Sequence, residues 1–234
     1  MTTALRTRPA PPAPVSPAPR PAPRPKPSAL RRPRLASTTE PILFPELHPT
    51  TRATRSVKDS FGKELATLAL SPSLSAGFSL TAPGSTTHLS HRELDSRGWT
   101  IRDAWDTAAH NLQMQALTPQ GLRLWTRPAT RTLGNDCPPG WEVRIQGGLA
   151  TAWLAHPRTF SALNEHLLNL TRAAELTYLA PDRFTLYVLA DCSPAETNEW
   201  ANVAYCSRPP HRTPLLNEPL KFVRGFPLTA DQAT

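Results

Sequence analysis

Cysteine is scarce in this chain: 234 residues contain Cys137, Cys192 and Cys206 and no others. An odd number at wide spacing, with no Cys-x-x-Cys, points away from a disulfide framework and from a thiolate zinc site. A single pair stays geometrically open, and each cysteine alone reads as structural or inert. Glycine is also sparse, ten in all. The Gly147-Gly148 pair has no G-x-G-x-x-G or Walker pattern around it, so it reads as a turn. The positively charged start is not followed by an apolar run of seven residues, which argues against a secretory signal. Nor does any apolar stretch reach the length of a membrane span. A cytoplasmic location is the expectation. A Gly-x-Ser-x-Gly elbow is absent too.

Acidic residues are missing altogether from residues 1–39, which hold eight basic side chains. The formal net charge of the chain is +8. From Glu40 onward 18 basic residues face 18 acidic ones, so the whole excess lies in the first segment. Eleven of the 28 prolines fall between Pro9 and Pro33. Such a stretch lacks the backbone donors for helix or sheet and the apolar side chains for a core. Residues 1–40 are therefore expected to be a disordered, polyproline-II-like arm. Arg20, Arg24, Lys26, Arg31, Arg32 and Arg34 are its candidate polyanion contacts, and nucleic acid enters, if at all, through them. A spacer without a partner has the same composition, as does translation from a start upstream of the true one.

Residues 41–55, with Pro41, Pro45 and Pro49, read as a linker lying against the domain. Residues 56–228 carry the folding pattern, and 229–234 read as a tail. Phe61, Leu65, Leu68 and Leu70 suggest a helix that Ser71-Pro72 stops. Gly77 to Thr81 alternates as a short strand, with Thr86 to Leu89 its hairpin partner. Thr100 is a good N-cap with Asp103 three residues on, and Ile101, Trp105, Ala108 and Leu112 form the apolar stripe of the next helix. Leu122 to Trp125 and Trp141 to Ile145 read as strands. Leu149 to Ala155 is an apolar run that fits a buried strand or a helix start. Pro157 opens a helix with Phe160, Leu163, Leu167 and Leu170 on one face. Ser193-Pro194-Ala195-Glu196 has the form of a capping box before a stripe of Trp200, Val203 and Ala204. Leu220 to Arg224 is a closing strand.

The clearest stretch is Glu175 to Asp191. Leu176 to Leu179 and Phe184 to Leu189 read as antiparallel strands around a turn at Ala180–Arg183, where Pro presets φ and Asp binds the backbone ahead. Phe184, Leu186 and Val188 share the face expected to point into the core, against Phe160, Leu163 and Leu167. Short turns between strands favour α+β with a mainly antiparallel sheet over a doubly wound parallel one.

Gly98-Trp99, Ala109-His110-Asn111-Leu112, the apolar run before Pro157, Leu179 to Leu186, and His211 to Pro214 leading into Leu220 to Arg224 resemble the YtpQ-like family of uncharacterised bacterial proteins. The resemblance spans residues 57–228. It implies a layered α+β fold and brings no established activity, cofactor or catalytic residue. Family members commonly carry Asp after the Arg of the Pro-x-Arg motif, where this chain has Phe184.

Chemistry is thin at this level. His88 and His91 are three apart, and His156 lies near His166, but no zincin pattern follows and surface histidines are the plainer reading. No metal ligand set, cofactor or catalytic residue is assigned. The six tryptophans sit at helix and strand positions where core packing is the default. Asp182 and Arg183 at the turn are the candidate binding residues. The expected function is a non-enzymatic domain acting through a protein partner. Its rivals are nucleic-acid association through the arm and an enzyme whose site assembles only in three dimensions near residues 180–184. A cleft gathering His88, His91 or Asp182 with Arg183 would favour that enzyme.

Overall fold

A computed structural model describes residues 40–50, 62–119, 121–145 and 148–232. The basic segment, including Arg20, Arg24, Lys26, Arg31, Arg32 and Arg34, lies outside the described residues. In chain order come β1 (Ile42–Pro49), β2 (Thr67–Ala69), β3 (Leu74–Ala82), β4 (Ser85–His88), α1 (His91–Ser96) and α2 (Ile101–Ala116). Short strands β5 (Leu117–Thr118) and β6 (Gly121–Leu122) lead to β7 (Leu124–Pro128), α3 (Thr130–Leu133) and β8 (Gly140–Ile145). A 3-10 helix (Ala150–Ala155) precedes α4 (Pro157–Thr171), β9 (Leu176–Asp182), β10 (Thr185–Ala190) and α5 (Pro194–Ser207). The hairpin β11 (Leu220–Val223) and β12 (Phe226–Thr229) follows. No helix among the described residues is long and apolar enough to cross a membrane.

The described residues form one α+β domain whose strand pairings are all antiparallel. One sheet runs β1-β3-β2, with β4 also on β3; the larger runs β12-β11-β9-β10-β8-β7. The main core joins Leu43, Leu47 and Phe78 of the first sheet to Trp105 and Leu112 of α2, Phe160 and Leu163 of α4, and Leu186 and Val188 of β10. Ala150 to Ala155 sits wholly buried within it, so the apolar run resolves as a 3-10 helix rather than a strand. A second cluster, Leu179, Tyr187 and Leu189 against Ala201 and Ala204 of α5, covers the other face of the hairpin.

Local signals explain the helices that sequence alone marks. Thr100 and Ser193 each close a capping box, with Asp103 and Glu196. Each box satisfies two backbone donors that a helix start leaves open. On α5 the buried side is Thr197, Ala201 and Ala204, while Trp200 and Val203 are only partly covered.

Several expectations are corrected. Residues 42–49 are a strand rather than a linker; Pro45 is tolerated because β1 is an edge strand of its sheet. The helix expected to run through Leu68 is not formed: residues 62–64 are turn and bend, Leu65 makes an isolated bridge to Ser90, and β2 follows, while residues 51–61 lie outside the described residues. Leu122 to Trp125 divides between β6 and β7, and Trp125 is exposed on an edge strand beneath Arg123 rather than buried. The closing strand is a hairpin, turned at Arg224 and Gly225, both at positive φ. A Cβ on Gly225 would lie 2.7 Å from Pro157 Cβ, so the start of α4 packs where only glycine fits.

The expected turn at 180–183 is shifted. Pro181 and Asp182 stay in β9, and Arg183-Phe184 make the loop. Asp182 opens the turn: its Oδ1 accepts from the backbone N–H groups of Phe184 (2.7 Å) and Thr185 (3.0 Å). Phe184, expected in the core, is 50% exposed, with Arg183 and Arg212 both near its ring.

His156 is the N-cap of α4. Its Nδ1 accepts from Arg158 N at 3.0 Å, while Nε2 meets Asp106 Oδ1 at 3.0 Å. Burial, opposed by Asp106, holds its pKa below the ordinary 6.5. The neutral ring is thus the folded form, and its stabilisation is complete above pH 6.5 and lost as pH falls from there through the folded value. Urea midpoints should therefore drop between pH 7.5 and 5.5. His156→Asn, which keeps a capping acceptor, should flatten that slope; an unchanged slope would refute the assignment.

Candidate functional site

Period-two alternation puts Phe44, Glu46 and His48 on one face of β1, opposite Leu43 and Leu47. The register sets Glu46 against Gly77 on β3, and His88 of β4 against Ser79 of β3. Glu46 and His88, 42 residues apart in sequence, thus come together across β3. Glu46 is 2% exposed. Its Oε2 lies 3.2 Å from His88 Nδ1 and 3.5 Å from His48 Nε2. Its other oxygen, Oε1, accepts from Arg183 at 2.6 Å. One ligand atom from each of Glu46, His48 and His88 falls within 4.8 Å of the other two.

Gly77 makes the arrangement possible. A Cβ there would stand 2.5 Å from His48 Cδ2 and 2.6 Å from Nε2, so the imidazole occupies the space a side chain would take. Glycine inside a strand sacrifices packing and marks close approach of another group. Here that group is a ring nitrogen aimed at a carboxylate.

Two atoms of the cluster are buried without a hydrogen-bond partner among the described residues: Glu46 Oε2 and His88 Nδ1. They face each other, yet their geometry makes no hydrogen bond. A buried polar atom left unsatisfied costs about 1–3 kcal/mol. The two lie within ion-pair distance of each other, and both are metal-ligating types.

A cleft of about 580 Å3 reaches the cluster, within the roughly 300–1,000 Å3 usual for small-molecule sites. Glu46, His88 and Arg183 line it, and His48 does not, so His48 lies behind the other two. Ser79, Thr81 and Thr86 add hydroxyls, and Phe44, Leu112, Leu149 and Ala152 supply apolar wall. Thr151 of the 3-10 helix donates to the Arg183 carbonyl at 2.5 Å, fixing the turn against the cleft. Asn111 Nδ2 donates to Leu43 O at 3.0 Å, tying α2 to β1 one residue before Leu112 reaches the cavity.

The two residues singled out at the turn part company. Arg183 belongs to the cleft; Asp182, fully buried, spends its carboxylate on the turn and on Arg212 (3.4 Å). Of the histidine pair, His88 joins the cluster and His91 is exposed at the start of α1. His156 is a helix cap, and His166 lines a separate surface hollow with Leu170. Gly148 lines the cleft, while Gly147 lies outside the described residues. Cys137 is buried, and burial, then the neighbouring Cys192, pushes its thiol up to about 11, as befits an unreactive cysteine. Glu46 and His48 are what sequence reasoning missed. The available signal was two ligand-type residues at i, i+2 in a segment with apolar residues on either side, which an edge strand would place on one face.

Comparisons with protein-family models, with curated proteins and with solved structures give no match.

Proposed function

We propose that this domain is a metal-dependent enzyme, hydrolytic in type, in which Glu46, His48 and His88 hold a divalent transition metal at the base of the cleft. The observation that supports this reading most is the pair of facing, unsatisfied buried atoms, Glu46 Oε2 and His88 Nδ1, with His48 Nε2 3.5 Å from the same oxygen. Zinc bonded at about 2.0–2.1 Å in tetrahedral array would need ligand atoms roughly 3.3 Å apart, close to the two separations found. Two imidazoles and one carboxylate suit zinc, and three protein ligands leave a position for water or substrate. A metal held by these three residues would supply Lewis-acid activation of water for attack on a carbonyl or phosphoryl centre. Arg183 would serve as the outer partner that orients the Glu46 carboxylate and leaves Oε2 for the ion. The rival reading is a purely structural cluster in which His88 Nδ1 and Glu46 Oε2 pair directly at 3.2 Å, and metal titration separates the two. The YtpQ-like kinship remains part of this proposal, carried by the residues quoted for it, Arg183 among them.

Calorimetric titration of the full chain with Zn2+ and Co2+ tests the site. One equivalent is expected to bind, with affinity falling by roughly a hundredfold or more in Glu46→Ala and in His88→Ala, beyond the 10–100-fold typical of outer-partner losses. Gly77→Ala should weaken binding as well, since its Cβ would displace the His48 ring. No binding by the parent chain, or parent-like binding by both ligand variants, would overturn the reading.

A further inference from the structure

The charge and shape of the cleft say what kind of molecule it would hold. Resting on the metal reading above, we infer that its substrate is a small amphipathic acid: one anionic group on an apolar body. Near the Phe184 turn stand three guanidiniums, Arg144, Arg183 and Arg212, against three carboxylates, Glu46, Glu142 and Asp182. A divalent cation on Glu46 adds two further positive charges, and the site then carries an uncompensated positive field that favours an anion.

Arg183 is the residue placed to meet that anion. Its Nη2 donates to Glu46 Oε1, but its Nε–H is buried without a hydrogen-bond partner among the described residues. It lines both the metal-bearing cleft and the neighbouring hollow formed with Phe184, His211, Arg212 and Thr213. Arg183 and Arg212 both stand over the Phe184 ring, so cationic side chains flank the turn between the two cavities. Glu142, at the far side of the turn, already accepts from Arg127 and Arg144 and from Thr132, so it does not compete for Arg183.

The rest of the wall is wrong for a wholly polar ligand. Phe44, Leu112, Leu149 and Ala152 line the cleft together with the hydroxyls of Ser79, Thr81 and Thr86. A chain or ring lying there buries apolar surface, at about 0.8 kcal/mol per methylene. The anionic end then reaches the metal and Arg183, and the body lies along Phe44 and Leu149.

The test uses the full chain loaded with Co2+, whose visible absorption reports its own coordination, and four probes: octanoate, octanol, octylammonium and acetate. Octanoate is expected to change the Co2+ spectrum and to bind roughly tenfold or more tighter than octanol and octylammonium, the margin of one charge-assisted hydrogen bond. Acetate, which has the charge without the body, should bind at least about tenfold more weakly than octanoate. At saturating Co2+, Arg183→Met should bring octanoate affinity down toward that of octanol, and a full octanoate preference kept in that variant would overturn the role of Arg183. Equal binding of octanoate and octanol, an unmoved spectrum, or acetate as tight as octanoate would each overturn the inference while leaving the metal site standing. Absence of any Co2+ spectrum would instead remove the metal reading itself.

Discussion

Leu186→Asp should give a chain with no cooperative urea transition and no near-ultraviolet dichroism. Leu186 is fully buried on β10, next in register to Val143 of β8, and packs in the same core as Phe160 and Leu163. Removing the leucine alone would cost about 2–5 kcal/mol. A carboxylate placed there also loses its hydration with no cation assigned to receive it, and several more kcal/mol follow. Together these exhaust the roughly 5–15 kcal/mol that holds a domain of this size. Thr185→Asp is the internal control. Thr185 is only half-buried; its hydroxyl accepts from Arg212 at 3.0 Å and donates to Asp182 at 3.0 Å, so a carboxylate there keeps a cationic partner at the cost of repulsion from Asp182. The Thr185 variant should remain folded; damage equal to that of Leu186→Asp would mean that residue 185 is as enclosed as residue 186.

The same hairpin shows what period-two patterning reveals and where it stops. It reveals that Leu186 and Val188 share a face toward α4, and they do. Apolar residues on both faces of the strand also point to cover on each side, and Tyr187 and Leu189 do pack against α5. Burial pushes the Tyr187 hydroxyl up to about 12, with Thr132 beside it as a hydrogen-bond partner. The turn was displaced by two residues for a local reason. Pro181-Asp182 is turn chemistry, but Asp182 acts from the first position, its carboxylate bridging over Arg183 to the next two amides. Phe184, apolar by type, is thereby put at the loop tip, where Arg183 and Arg212 take the place of a core.

The site was less legible than the fold for the same physical cause. A half-buried strand is recognised by apolar residues inward and polar ones outward. β1 breaks this rule: Glu46 and His48 are buried, and prolines stand at 45 and 49. The violation coincides with the cluster, in keeping with the general tendency of local rules to fail where function is built. His88 could be seen as one of a pair with His91, yet its partner in space is 42 residues upstream, and only the β1–β3–β4 register brings them together. Arg183 was identified beside Asp182, but which of the two faced a cleft depended on the turn's phase.

Trp105→Ala should lower the free energy of unfolding by about 3–5 kcal/mol, the ordinary cost of emptying a buried aromatic site. Trp105 lies on α2 with its ring 4.3 Å from that of His156, and its Nε1–H donates to Ala155 O at 2.6 Å. That bond holds the last residue of the 3-10 helix, the element that carries Ala152 on the cleft wall and Thr151 against the Arg183 carbonyl. Trp105→Phe separates the two contributions. It keeps most of the ring volume and strands the Ala155 carbonyl, so about 1–3 kcal/mol should be lost. If packing alone mattered, the Phe variant would unfold at nearly the parent's urea concentration. If the hydrogen bond anchors the 3-10 helix, the Phe variant should also bind Co2+ more weakly, because Arg183 loses the Thr151 tether that sets it against Glu46. A Trp105→Ala chain with the parent's midpoint would mean that α2 presents a different face to the core.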